Sequence, residues 1–163
     1  MIILGNLIIF LGSILMLISS YIKSAKITIL VQSIQMFLMG LGNLFLGGFS
    51  ATFSNFISIF RNVMCYKNKL NKIFKILFII VQTILGLLIN NLGTIGILPI
   101  LASVIYTWFM GLDDEKLKKV TIFTNMLWLI HDFYIKSYVG ALFNLLGIIM
   151  CIVTIYRIKN NKK

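Results

Sequence analysis

The chain has little charge, little acid and almost no proline. Only 12% of its 163 residues are charged, four of them are acidic, and there is one proline. A typical soluble domain has about 25% charged residues. The composition therefore excludes a separate soluble domain and indicates a single membrane domain.

Catalytic and metal-binding patterns are also missing. Cys65 and Cys151 fall near predicted cytoplasmic helix ends, which indicates two free thiols in a reducing compartment. The single His131 is interpreted as a helix-interface residue. We find no Cys/His metal spacing, no Ser/His/Asp set, no carboxylate pair at one depth and no Gly-rich phosphate loop. We therefore expect no cofactor, no metal, no catalytic residue and no enzymatic activity.

What the chain does have is lysine and arginine in four short stretches, separated by long apolar runs. The stretches are 23–26, 61–75, 116–119 and 157–163. Hydrocarbon cannot solvate ionised side chains, so charges collect where a chain re-enters water. The net charge of +11 is thus explained by cytoplasmic loops, and nucleic acid is not expected as a partner.

The spacing predicts seven transmembrane helices in an all-α membrane protein, at about 20 residues per crossing. The predicted spans are 2–21, 27–46, 49–66, 74–90, 92–111, 118–135 and 138–156. The first span lacks a basic n-region and is interpreted as a retained helix rather than a signal peptide. Asp113 and Asp114 are expected at the start of the sixth helix, where a cap and the helix dipole favour acids.

The basic residues also predict the orientation in a bacterial plasma membrane. All but Lys136 fall on one side of the predicted topology. The positive-inside rule places that side in the cytoplasm, with the amino terminus outside and the carboxyl terminus inside. Lys118 and Lys119, at the start of the sixth helix, are expected to extend toward water.

The polar positions recur after a shift of 89 residues, which indicates an internal repeat. The matched pairs are Gln32 with Thr121, Gln35 with Thr124, Asn43 with Asp132, Phe49 with Tyr138 and Asn55 with Asn144. We predict a 3+1+3 arrangement of two parallel three-helix repeats within one domain, 1–163. The parts are the first repeat 1–67, a linker helix 68–91, the second repeat 92–158 and a basic tail 159–163. Such repeats place a substrate site near the midplane, where the halves meet.

Polar faces on the second, third, sixth and seventh helices are expected to turn away from lipid toward a central cavity. Ser58 shares the face of the third helix with Asn55. Asn55 and Asn144 are the strongest candidates to bind a neutral polar solute, since an amide both donates and accepts without charge. Trp128 and Met39 would form the pocket walls, and Gln35, Asn43 and Asp132 the vestibule. For any single residue, ordinary helix packing is an equal alternative.

Three further positions have more than one interpretation. Asp132 would take a proton, bind a cation or form a surface ion pair with Lys136 four residues on, and the spacing favours the pair. Arg61 is expected to reach the cytoplasmic headgroups, with a role in an inner gate as the alternative. Pro99 is expected to kink the fifth helix and to act as a hinge.

Short motifs along most of the chain also carry a family resemblance. They are Gly42-Asn43-Leu-Phe-Leu-Gly-Gly48, Asn55 with Arg61-Asn62, Leu98-Pro99-Ile100 and Leu127-Trp128-Leu-Ile. They resemble the YgjV-type bacterial inner-membrane proteins. More distantly, the plan is similar to the SWEET, SemiSWEET and PQ-loop transporters, in which a tryptophan and an asparagine of one repeat line a sugar pocket. Trp128 and Asn144 match that pairing and its sixteen-residue spacing, whereas His131-Asp132 replaces a smaller, uncharged pair.

The prediction is thus a transporter or facilitator that moves a small polar solute, such as a sugar, nucleoside or vitamin, by alternating access. The lipid bilayer is its other expected partner, and the sequence leaves homo-oligomerisation open. The alternative is a non-transporting membrane scaffold or accessory protein, which would pack its inward faces dry.

Overall fold

The structure is a computed structural model that describes residues 2–111 and 113–160, and the regular secondary structure in these ranges is helical. The helices are α1 Ile2–Tyr21, α2 Ala25–Phe45, α3 Phe49–Tyr66, α4 Lys72–Ile89, α5 Ile97–Phe109, α6 Asp114–Tyr134 and α7 Tyr138–Asn160. The prediction of seven helices in an all-α chain is confirmed for these ranges.

Six helices form a closed ring and α4 lies outside it. Contacts join ring neighbours in the order α1, α2, α3, α5, α6, α7 and back to α1, while α4 packs on α3 and α5. We call one end of the ring the basic end: it holds the α1–α2, α3–α4 and α5–α6 connections and the last turn of α7. The opposite end, with the other three connections, is the far end.

The ring is apolar outside and polar inside, the reverse of a soluble protein. Ile3, Ile73 and Leu88 are each at least 75% exposed, whereas the described buried side chains are mostly polar. By length and composition, α1, α2, α4 and α7 suffice to cross a membrane, and α5 is a shorter apolar helix. Lipid explains the pattern, because it solvates apolar side chains and excludes unpaired polar groups.

Glycines allow α1 and α2 to pack with their backbones close together. A Cβ built on Gly42 would overlap the Ile9 side chain and lie 3.0 Å from the carbonyl oxygen of Gly5. A Cβ on Gly5 would lie 2.9 Å from the Leu46 side chain. Small residues at such crossings strengthen helix association in lipid, where no hydrophobic effect draws helices together.

The positions at which α6 and α5 begin determine the structural roles of Asp113 and Pro99. Asp113 caps α6, and its Oδ1 accepts a hydrogen bond of 2.9 Å from the backbone N–H of Lys116, which confirms the predicted acidic cap. α5 begins at Ile97 rather than at 92, so Pro99 is its third residue. The first turn needs no N–H from proline and has no helix before it to bend. The predicted kink at Pro99 is therefore wrong, and its role as a hinge stays a prediction.

Candidate functional site

A cavity lies inside the six-helix ring. Its volume open to the centres of water molecules is about 70 Å³, and at roughly 10–15 Å³ per water it has room for a few waters. The lining comes from all six ring helices: Ile9, Met16, Gln32, Gln35, Met36, Met39, Asn43, Asn55, Ser58, Arg61, Ala102, Ser103, Tyr106, Thr121, Thr124, Asn125, Trp128, Asp132 and Asn144. The structure thus brings together every candidate binding residue of the sequence analysis.

The lining of α2 and that of α6 correspond position by position. Five residues of α2 line the cavity, and each stands 89 positions before a lining residue of α6. The pairs are Gln32 with Thr121, Gln35 with Thr124, Met36 with Asn125, Met39 with Trp128 and Asn43 with Asp132. Asn55 on α3 and Asn144 on α7 make a sixth pair with the same separation.

Asn55 and Asn144 both line the cavity from opposite halves of the chain, and each is at most 5% exposed. Asn144 donates from Nδ2 to Oδ2 of Asp132 at 2.9 Å. The Nδ2 of Asn55 has no hydrogen-bond partner among the described residues, and neither has Oδ1 of Asn43. A buried polar atom without a partner costs free energy unless water or a solute supplies one. The cavity therefore offers one donor and one acceptor from the first half of the chain.

Trp128 and Met39 give the cavity its flat and flexible apolar surfaces. The Trp128 ring meets the His131 ring edge-to-face, with centroids 5.7 Å apart and planes at 85°. This contact holds the indole from outside the cavity, since His131 is fully buried and is not a lining residue. His131 thus lies at a helix interface, as the sequence predicts. Gln35 is held in turn by Ser19, whose hydroxyl donates to Oε1 at 3.4 Å.

Asp132 does not form the surface ion pair predicted with Lys136. The residue is 5% exposed, and its carboxyl accepts a hydrogen bond from Asn144 and lies 3.2 Å from Nδ1 of His131. The next connection explains this orientation: the backbone N–H of Ser137 donates to the Asp132 carbonyl at 2.8 Å, and Lys136 turns through a positive φ of 60°. The carboxylate is left facing α7 and the cavity.

Arg61 does not reach the headgroups, so that expectation is also wrong. The residue is fully buried. Its Nη1 donates to Thr107 Oγ1 at 2.7 Å and to the carbonyl of Ser103 at 3.2 Å. Its Nε and Nη2 both donate to Oδ1 of Asn62, at 3.2 and 3.0 Å. The guanidinium also lies over the Tyr106 ring, 5.1 Å from the centroid. Neighbouring polar groups on α3 and α5 solvate the charge in place of water.

With this geometry described, comparison with known proteins identifies the family. The family model for Imp-YgjV, a bacterial inner membrane protein, matches residues 3–162. The chain belongs to the Imp-YgjV family. No curated protein and no solved structure matches it. The family confirms the YgjV-type resemblance and the inner-membrane prediction, while the similarity to SWEET transporters stays a prediction.

At the basic end of this Imp-YgjV protein, Lys118 turns inward, contrary to the expectation that it extends toward water. It is 1% exposed, and its Nζ donates to the Ser19 carbonyl at 2.7 Å and to Thr28 Oγ1 at 3.3 Å. Ser19 lies in the last turn of α1, where carbonyls lack helical partners and the helix dipole attracts a cation. Lys118 therefore caps α1 and joins it to α6.

Other bonds close the same end. Asp114 Oδ1 accepts from the backbone N–H of Ala25, joining α6 to α2. Thr154 Oγ1 donates to the Ser20 carbonyl at 3.0 Å, joining α7 to α1. Together with Lys118, these contacts link α1 and α2 to α6 and α7 at the basic end.

The polar face of α5 was not predicted from the sequence. Ser103, Tyr106 and Thr107 have the spacing i, i+3, i+4 that places side chains on one helix face. Ser103 shares a hydrogen bond of 2.9 Å with Ser58, and the Tyr106 hydroxyl donates to Gln32 Oε1 at 2.7 Å. The signal was present, but an isolated serine and threonine in an apolar helix are also typical of residues that bond their own backbone.

Proposed function

We propose that this protein carries a small polar solute across the bacterial inner membrane through the central cavity. The observation that supports this most is a polar cavity inside a ring whose outside is apolar. A scaffold needs no such space. If the same faces packed dry, Asn43 Oδ1 and Asn55 Nδ2 would be expected to have hydrogen-bond partners in the protein. We propose a carrier rather than an enzyme, because the lining offers hydrogen bonds and stacking surfaces for binding.

The proposed movement is alternating access between α1–α3 and α5–α7, with α4 as the linker helix of a 3+1+3 plan. The corresponding lining of α2 and α6 supports two related halves. The polar bonds of Lys118, Asp114 and Thr154 join these halves at the basic end, so the structure fits a state closed on that side. Arg61 contributes to this closure by joining α3 to α5, and opening toward the basic end would break these contacts.

The residue roles follow from the cavity. Asn55 and Asn144 would bind the solute from opposite sides, using amide groups that pay no charge penalty in lipid. Trp128 and Met39 would form the walls, with Ser58 beside Asn55. The lining residues Gln35, Asn43 and Asp132 would form the vestibule.

A flux assay in liposomes tests the proposal. Purified protein would be reconstituted and supplied with labelled sugars, nucleosides, vitamins and amino acids in turn. We expect protein-dependent uptake of at least one class that saturates with concentration. Folded protein that carries none of the four classes would contradict the proposal and favour the scaffold.

We also propose that all seven helices span the membrane, with the amino terminus outside and the basic end in the cytoplasm. A reporter enzyme active only in the cytoplasm, fused after Lys163, is expected to be active. The same reporter inserted at Lys136, in the α6–α7 connection, is expected to be inactive. The opposite pair of results would reverse the orientation, and activity at both sites would remove the α7 crossing.

A further inference from the structure

The cavity wall carries one acidic and one basic side chain. Among the described lining residues these are Asp132 on α6 and Arg61 on α3. They belong to opposite halves of the chain, and Asp132 lies nearer the far end of the ring than Arg61 does. Asp132 lies in the last turn of α6, next to the far end, and bonds Asn144. Arg61 lies six residues beyond Asn55 along α3, which is about 9 Å toward the basic end at 1.5 Å per residue.

The guanidinium of Arg61 is satisfied by neutral groups only. Its hydrogen-bond partners are Asn62, Ser103 and Thr107, and the Tyr106 ring lies beneath the guanidinium plane. In the described part of the chain no carboxylate lies within ion-pair distance of it. Nη2 carries two hydrogens and donates in one bond, to Asn62. One Nη2 N–H thus makes no hydrogen bond to the described residues.

Asp132 is the corresponding buried acidic group, and it has no lysine or arginine partner among the described ion pairs. Its oxygens meet the Asn144 amide and Nδ1 of His131. The two carboxyl oxygens retain lone pairs beyond these two contacts. A buried charge is costly unless an opposite charge and hydrogen bonds compensate it.

We propose that the carried solute is a zwitterion, an amino acid or related amine carboxylate, bound with its ammonium group at Asp132 and its carboxylate at Arg61. This rests on the proposed carrier function and narrows its substrate class. A zwitterion has no net charge, so it fits a polar cavity, yet it compensates both wall charges at once. A sugar compensates neither, and a simple cation or anion compensates one. Asn55 and Asn144 each lie six residues from the far-end start of their helix, which places them at a depth between Asp132 and Arg61.

Uptake into proteoliposomes tests the charge requirement directly. The probes are labelled glycine, β-alanine, 4-aminobutyrate, 5-aminopentanoate and 6-aminohexanoate, which place the two charges at increasing separations, together with a mixture of neutral α-amino acids. Each is compared with its N-acetyl derivative, which lacks the ammonium group, and its amide, which lacks the carboxylate. We expect at least one zwitterion to enter at least tenfold faster than both of its derivatives.

Two variants assign each charge to its residue. Asp132→Asn is expected to lower zwitterion uptake at least tenfold. It is also expected to lower the ratio of zwitterion uptake to uptake of the N-acetyl derivative. Arg61→Gln is expected to lower the ratio of zwitterion uptake to uptake of the amide. Arg61→Lys keeps the positive charge and is expected to keep this ratio; it provides the test if the glutamine variant does not fold. Asp113→Asn retains the α6 cap, and Arg157→Gln alters a cation at the end of α7. Both lie outside the cavity lining, and both are expected to match the native protein.

The outcomes separate this inference from the proposed function. Uptake of sugars or nucleosides without zwitterions would overturn the zwitterion and leave the carrier standing. Equal uptake of a zwitterion and its blocked derivatives, or an unchanged preference in Asp132→Asn, would also overturn it. Folded protein that carries no probe of any class would overturn both.

Discussion

Replacing Asn55 and Asn144 together by alanine is expected to lower solute uptake about 30- to 100-fold. Each amide is proposed to contribute a hydrogen bond to the solute, and a bond of this kind is worth about 1–1.4 kcal/mol. Since 1.4 kcal/mol corresponds to a factor of ten, the loss of two bonds gives the stated range. Initial uptake rates at subsaturating solute measure the effect.

The same double variant distinguishes the carrier from the scaffold. Asn55 Nδ2 has no hydrogen-bond partner within residues 2–111 and 113–160, so removal of this amide costs the fold little. The control is Asn6→Ala with Asn160→Ala, which also removes two amides but from α1 and α7 positions outside the cavity lining. We expect the control to transport normally. Full uptake by Asn55→Ala/Asn144→Ala, with altered stability or partner binding, would contradict the carrier and support the scaffold.

Replacing Lys118 by methionine is expected to destabilise the protein by about 1–3 kcal/mol, the cost of leaving a buried carbonyl acceptor without a donor. The affected acceptor is the Ser19 carbonyl in the last turn of α1. Methionine has a similar length and fits a buried site, so the loss of the cap dominates. Unfolding of purified protein in detergent, followed by a fluorescence or circular dichroism signal, measures the change.

The neighbouring residue provides the control for this prediction. Lys119 has a side chain that is 58% exposed and pairs with Glu115 at 2.8 Å on the surface. Exposed ion pairs are worth about 1 kcal/mol or less, so the unfolding midpoint of Lys119→Met is expected to lie close to that of the native protein. Buried ion groups are sometimes replaced by apolar ones without cost. An equal unfolding midpoint for the two variants would show that Lys118 makes no net contribution at the basic end.

The helices and their inward faces were predictable because lipid imposes a simple rule. Apolar runs of about 20 residues must be helices, and polar residues on one helical face must avoid hydrocarbon. This rule was enough to bring Asn55, Asn144, Trp128 and Met39 to one interior. The boundaries that failed, above all at Pro99, fall where a connection continues with apolar residues and hydropathy marks no helix start.

Long charged side chains were the less predictable part. Arg61 was expected to reach the cytoplasmic headgroups and Lys118 to extend toward water, as flexible cations near helix ends commonly do. In each case a neighbouring helix offered acceptors that the sequence does not place: Ser103 and Thr107 of α5 for Arg61, and Ser19 of α1 for Lys118. Asp132 likewise faces Asn144, twelve residues away, rather than Lys136, four residues away.

The number of helices, the faces that turn away from lipid and the family could all be inferred from the sequence alone, because hydropathy, helical periodicity and short motifs are local properties of the chain. The tertiary structure decided that six helices close around a cavity, that α4 stays outside, and which partners the buried charges take. Those features depend on distances between residues far apart in the chain, which follow only from how the helices pack.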